Sequence, residues 1–375
     1  MPDSQFEPAT EGLPRRSPVD WDVAVFWGTR TAGDGPVMEP GVAESVVDEL
    51  RLGAARATGL VRDFTALEAP DDTAPLLVVN RAGWIQANAD GFARLLDPVV
   101  TKLAAKADST SQTVSAPESA TDGSAPAAPG RSLTRTVGSK VAGAQIGLMF
   151  GFLASRVLGQ FDPFFPPAGR LLLVAPNIVH VERQLRADTA DFRLWVCLHE
   201  ETHRVQFTAV PWMRDHIFSE MTALLDSVEN TSVFEDGLRK ISESVRGGRG
   251  SLVEAMSTPE QTEILDRLTG VMSLLEGHAD IVMDGVGPSV IGTVEEIRSK
   301  FNERRKGAGS IDRWVRRVLG LEAKMAQYRD GAAFVRGVVE KVGMADFNAV
   351  WAGPDNLPSK AEIHDPAAWI ARVHG

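Results

Sequence analysis

From Asp188 to Val210 the chain runs without a glycine or a proline, and in mid-run stands His199-Glu-Glu-Thr-His203. Asp188 and Thr189 are cap-type residues and Pro211 follows the run, so the stretch predicts one helix of about five turns. Leu194, Leu198 and Val205 follow helical spacing and mark a core face, while His199, His203 and Gln206 share another. Residues four apart lie one above the other on a helix, so the two imidazoles can converge on one metal ion. Glu200, one step round, faces the same point from its flank. Imidazole suits zinc, and a zinc with an open position makes a nucleophile of water near neutral pH, for which a neighbouring carboxylate is the natural base. The competing explanation of so short a pattern is two unrelated histidines, on the surface or in the core.

Two histidines bind zinc weakly, and open sites use three protein ligands. Gln206 and Ala209 occupy the positions where one extended motif places glycine and a third histidine, so that class is excluded. A carboxylate from a second helix is the remaining common solution. Thr258-Pro-Glu-Gln261 is a capping-box signature with proline at the first helical position, and apolar residues then keep a helical period from Ile264 to Met283, predicting a helix up to Gly285. That helix carries Glu276-Gly-His-Ala-Asp280. Glu276 can ligate while Asp280 accepts the free ring N–H of a ligand histidine, fixing its tautomer. His278 is the alternative ligand, but it points about 160° away from Glu276 on a helix. The Glu-x-x-x-Asp spacing favours Glu276.

The chain has 375 residues with a formal net charge of −11, which argues against nucleic acid or an anionic membrane as the main partner. The basic run from Arg298 to Arg317 reads as a solvated helix face, since Ile311, Trp314, Val318 and Leu319 form an apolar stripe between its charges. One cysteine, Cys197, excludes an internal disulfide and a thiolate zinc cage, and fits a reducing compartment. It sits among apolar residues and reads as a small core residue. The first residues show no secretory signal, so a cytoplasmic location is expected. Val137 to Leu158 carries Gly143, Gly147 and Gly151, but Lys140, Gln145 and Arg156 leave too short an apolar stretch for the roughly 20 residues of a membrane span. A buried helix whose glycine edge admits another backbone is expected instead.

Ala107 to Arg131 contains no Leu, Ile or aromatic residue and reads as a disordered linker. It separates a mostly helical region, 14–106, expected to pack on the core, from a catalytic domain, 132–375. Gly41 to Leu67 and Ala87 to Leu96 read as helices, and Leu76 to Val79 and Arg170 to Ala175 as strands. Leu171 to Val174 is either a sheet edge where an extended substrate docks or an ordinary core strand. The expected class is mainly α with a small β-sheet, α+β.

The stretches Asp191-Phe-Arg-Leu-Trp-Val-Cys-Leu-His-Glu-Glu-Thr-His-Arg-Val-Gln-Phe207 and Glu276-Gly-His-Ala-Asp-Ile-Val-Met-Asp284 together resemble the zincin-like proteins of actinobacteria and relatives, labelled as zinc-dependent metalloproteases. Gly159-Gln-Phe-Asp162, Leu173-Val-Ala-Pro-Asn177 and Gly320-Leu-Glu-Ala-Lys-Met-Ala-Gln-Tyr328 extend the resemblance over most of the chain after the linker. Asp20-Trp21 and Val79-Asn-Arg-Ala-Gly-Trp84 carry it thinly before. One branch is labelled as associated with biosynthesis of a deazaflavin coenzyme. The resemblance implies a largely helical zincin-like fold.

The expected function is therefore a gluzincin-like zinc metallopeptidase. His199, His203 and Glu276 hold one Zn2+ per chain, and Glu200 is the base for water attacking a peptide or protein substrate. Tyr328, the one tyrosine in the chain, His278, or an arginine of Arg304-Arg305 are candidate donors to the developing charge, although a tyrosine is as readily a core residue. A di-iron carboxylate site needs a second Glu-x-x-His, which the sequence lacks. A zincin fold kept as a binding or scaffolding module is the alternative, because fold does not fix function. A serine hydrolase has no support without a Gly-x-Ser-x-Gly elbow. The sequence leaves the oligomeric state open.

Overall fold

In the computed structural model, which describes residues 19–70, 74–96, 130–227, 258–306 and 321–375, the apolar run Arg170–Val174 (β3) forms the middle of a three-stranded sheet. Leu76–Val79 (β1) pairs with it in parallel, Leu76 opposite Leu171, and Gly159–Asp162 (β2) pairs antiparallel, Gly159 opposite Leu173. All five β3 residues are buried, as a strand covered on both faces requires. Its side chains alternate between layers: Leu172 and Val174 enter one apolar cluster and Leu173 another. Because both edges of β3 are taken, Leu171 to Val174 is a core strand and not a docking edge. Among the described residues the outer edges of the sheet belong to β1 and β2, and β2 is a strand that sequence patterning does not mark.

One face of the sheet is covered by Trp21–Ala32 (α1), residues 81–96 (α3) and Gly130–Ala154 (α4). Side-chain carbons built on the α4 glycines would lie 2.2 Å from the Asp20 carbonyl oxygen at Gly143 and 2.5 Å from that of Ala24 at Gly147. The glycine row is thus the seam of two helices in backbone contact, as its spacing led us to expect. Among the described residues, no helix is long and apolar enough to cross a membrane.

The other face carries the larger core. Pro40–Thr65 (α2), Ala175–Leu185 (α5), Thr189–Ala209 (α6), Pro211–Asp226 (α7) and Pro259–Val290 (α8) surround it, and Val294–Lys306 (α9) and Leu321–Phe347 (α10) close it, the first with Val294 and Ile297 and the second with Phe334, Val335 and Val338. Val46, Leu50, Ala54, Ala57 and Val61 form the buried stripe of α2 against α6, where a side-chain carbon added at Gly53 would lie 3.2 Å from the Cys197 sulfur. Burial of a side chain such as Leu50 or Leu198 stabilises by about 1.5–3 kcal/mol.

Asp188 caps α6 through the Asp191 N–H, and Thr258 and Gln261 close the predicted capping box on α8, a device worth about 1 kcal/mol. The second helix continues past Gly285 through Pro288 to Val290. Gly285 is there for space, since an added side-chain carbon would lie 2.1 Å from the Phe64 ring. Pro288 sits in the last turn, where it removes the i→i−4 bond to the Asp284 carbonyl two residues before the helix ends. Residues 107–129 of the expected linker and 307–317 of the basic run lie outside the described residues. Gly130 and Arg131 begin α4, and Arg298 to Lys306 belong to α9.

Candidate metal centre

His199 and His203 occupy consecutive turns of α6, and their Nε2 atoms lie 3.3 Å apart with the rings at 89°. Glu276 enters from α8 and brings Oε2 to 3.6 Å from the His199 nitrogen and 3.7 Å from that of His203. Among the described residues this is the one group of imidazole and carboxylate ligand atoms gathered closely enough to share an ion. Zinc bonds of about 2.0–2.1 Å in tetrahedral geometry leave neighbouring ligand atoms about 3.3 Å apart, so the triad fits zinc. Accessibility is graded, with side-chain exposures of 31 % for His199, 20 % for Glu276 and 13 % for His203.

Two close crossings bring α8 and α10 into position. Gly277, next to Glu276, faces Gly331 of α10 so closely that an added side-chain carbon would lie 2.2 Å from the Gly331 carbonyl carbon. The reciprocal carbon on Gly331 would lie 1.9 Å from the Ser273 carbonyl oxygen. No side chain fits between the helices there.

The carboxyl of Glu200 is buried, and Gly159, the first residue of β2, touches it. A side-chain carbon at 159 would lie 2.5 Å from Glu200 Cδ, so glycine is required by close approach. Burial raises the Glu200 pKa to about 8; His203 opposes the shift while Glu276 and Glu201 add to it. Glu201 points the other way and ties α6 to α2. Its carboxylate accepts from Thr58 Oγ1 at 3.0 Å and Arg204 Nε at 2.7 Å. Burial nonetheless raises its pKa, with Arg204 and Thr58 opposing.

Burial disfavours the charged form of His203, but Glu276, Glu200 and the Gln206 amide oxygen outweigh it and raise its pKa to about 9. The Gln206 side chain lies 2.9 Å from His203 Nδ1. Asp280, expected to orient a ligand histidine, accepts instead from Arg298 Nη2 at 3.1 Å at the α8–α9 contact. The contact to the His203 ring comes from Gln206 because Gln206, one turn on, lies on the same helical face.

His278 is not brought to the triad. It is wholly buried, with Nδ1 2.9 Å from Gln206 Nε2 and its ring stacked on Phe347 and edge-on to Trp351. Burial lowers its pKa to about 3, reinforced by His203. Tyr328 belongs to α10, but its side chain lies outside the described residues, as does that of Arg305. Arg304 donates to Gln184 at 2.8 Å on the α5 side of α9. Cys197 is wholly buried and its thiol pKa is raised, first by burial and then by Glu201 and Glu200, consistent with a core residue. Sequence reasoning missed Gly159, whose only signal is a glycine in an apolar setting, and Gln206 as the partner of His203.

No curated protein matches the chain. A crystal structure from Chloroflexus aurantiacus, provisionally described as a hydrolase with a novel fold, is 29 % identical, superposes with a TM-score of 0.66, and is matched over 95 % of this chain and 99 % of its own. A family model described as zincin-like metallopeptidase matches residues 19–370. That span takes in β1 and α2 as well as the two helices that carry His199, His203 and Glu276, and the chain belongs to the zincin-like metallopeptidase family.

Proposed function

We propose that the protein is a zinc-dependent hydrolase that cleaves a peptide bond, with His199, His203 and Glu276 as the residues that would hold the metal. The observation that carries this is the convergence of the two Nε2 atoms and the Glu276 carboxylate at 3.3 to 3.7 Å, beside a buried Glu200. When bound, zinc supplies a Lewis acid that polarises the scissile carbonyl and lowers the pKa of water. Glu200 takes a proton from the attacking water as the new C–O bond forms, and gives it to the amide nitrogen as the C–N bond breaks. Burial suits it to both roles. Desolvation strengthens its hold on a proton, which suits it to taking one from water and passing it on.

An extended peptide would lie along the outer edge of β2, which no strand among the described residues pairs with and whose first residue abuts Glu200. Backbone hydrogen bonds to that edge would align the scissile carbonyl over the triad with no specificity for side chains.

Metal analysis and turnover of a peptide library test the reading together. Wild type should carry about one zinc per chain, Glu276→Ala should lose most of it, and Glu200→Gln should keep it while losing hydrolysis. Equal hydrolysis by wild type and Glu200→Gln would end the assignment of Glu200 as base.

A further inference from the structure

We propose that Gln206 is the positioning residue that sets the tautomer and ring orientation of His203, and that it takes its own orientation from the backbone carbonyl of Leu275, the residue before Glu276. The proposal rests on the metal-centre reading above. Gln206 is wholly buried, and three groups surround its amide: His203 Nδ1, the Leu275 carbonyl oxygen and His278 Nδ1, each at 2.9 Å. Of these, the Leu275 oxygen can only accept. The amide nitrogen must therefore face Leu275, because the flipped amide would set two oxygens 2.9 Å apart in a dry interior. With the nitrogen fixed, the amide oxygen faces His203 Nδ1, and an oxygen there demands a ring N–H.

The proton of His203 is thereby held on Nδ1, and the lone pair of Nε2 is directed at His199 and Glu276. On the other side, the second amide hydrogen donates to His278 Nδ1, so the proton of that neutral ring sits on Nε2. Gln206 thus joins ligand helix α6 to ligand helix α8 at the position next to Glu276. One amide fixes which nitrogen of His203 is free and how far its helix stands from the carboxylate.

Zinc dissociation constants, measured by chelator competition on the full chain, test this. Gln206→Leu removes the acceptor and the tie, and should weaken zinc binding 10- to 100-fold. Gln206→Glu keeps an acceptor at His203 but loses the donors to Leu275 and His278. It should bind zinc within about 3-fold of wild type while unfolding at lower denaturant, since acceptors next to a ligand histidine sustain its basicity. In zinc-loaded protein with 15N-labelled histidine, the His203 Nδ1–H should exchange slowly in wild type and Gln206→Glu and fast in Gln206→Leu.

A purely structural tie would make both variants lose zinc equally, and that result overturns the proposal. Should Gln206→Leu fail to fold, fast exchange of the His203 Nδ1–H in zinc-loaded wild type overturns it alone, because a buried amide oxygen holding that proton must slow its exchange. A wild type that binds no zinc overturns instead the metal-centre reading.

Discussion

His278 should make the protein sensitive to mild acid, by an amount its surroundings set. The imidazole has no exposed surface, its Nδ1 takes a hydrogen bond from Gln206, and the Phe347 and Trp351 rings close over it. Desolvation, with His203 adding to it, lowers its pKa from 6.5 to about 3. The folded chain therefore binds fewer protons here than the unfolded chain. Stability from the neutral ring is full above about pH 6.5 and falls as the pH drops from there towards 3, by about 1.4 kcal/mol per pH unit. At pH 5 the loss is about 2 kcal/mol, a sizeable part of a typical 5–15 kcal/mol. His278→Asn removes the titration and keeps an acceptor near Nδ1. Urea unfolding of zinc-free wild type and variant at pH 7, 6 and 5 isolates the effect, because shifts at His203 and Glu200 are common to both chains. Wild type should lose about 2 kcal/mol more than the variant between pH 7 and pH 5. Parallel stability curves would refute the buried neutral imidazole.

Two glycine substitutions separate the chemistry from the scaffold. Gly159→Ala puts a carbon 2.5 Å from Glu200 Cδ, and moving that carboxyl by about 1 Å should cost on the order of 10²-fold in peptide turnover with zinc content unchanged. Full turnover in that variant would show that the Glu200 position does not govern the rate. Gly331→Ala sets a carbon 1.9 Å from the Ser273 carbonyl oxygen, where neither backbone can yield independently. It should destabilise by at least the usual overpacking cost of about 1–3 kcal/mol, read as a lower thermal midpoint; an unchanged midpoint would contradict the helix crossing.

The local code carries far in this chain. Glycine- and proline-free spacing with Asp188 as cap delivers α6, and Thr258 with Gln261 delivers the start of α8, because caps and periodicity act within a turn or two. The 3.6-residue repeat also suffices to stack His199 over His203. Where α8 ends was not legible, since Gly285 is set by the Phe64 ring from a helix far away in sequence.

Meetings between helices were decided only by the tertiary structure. The sequence pairs Glu276 as ligand with Asp280 as partner of a ligand histidine, yet the Gly277–Gly331 crossing and the α8–α9 contact set the first against the histidines and the second against Arg298. The burial of β3 likewise depends on helices distant in sequence closing over both faces of the sheet. Residue types and short spacings determine which chemistry the chain carries, because they act through local backbone geometry. How closely Glu276 approaches the two histidines, and which side chain meets the His203 ring, depends on distances between segments about 70 residues apart, set by packing of the whole core.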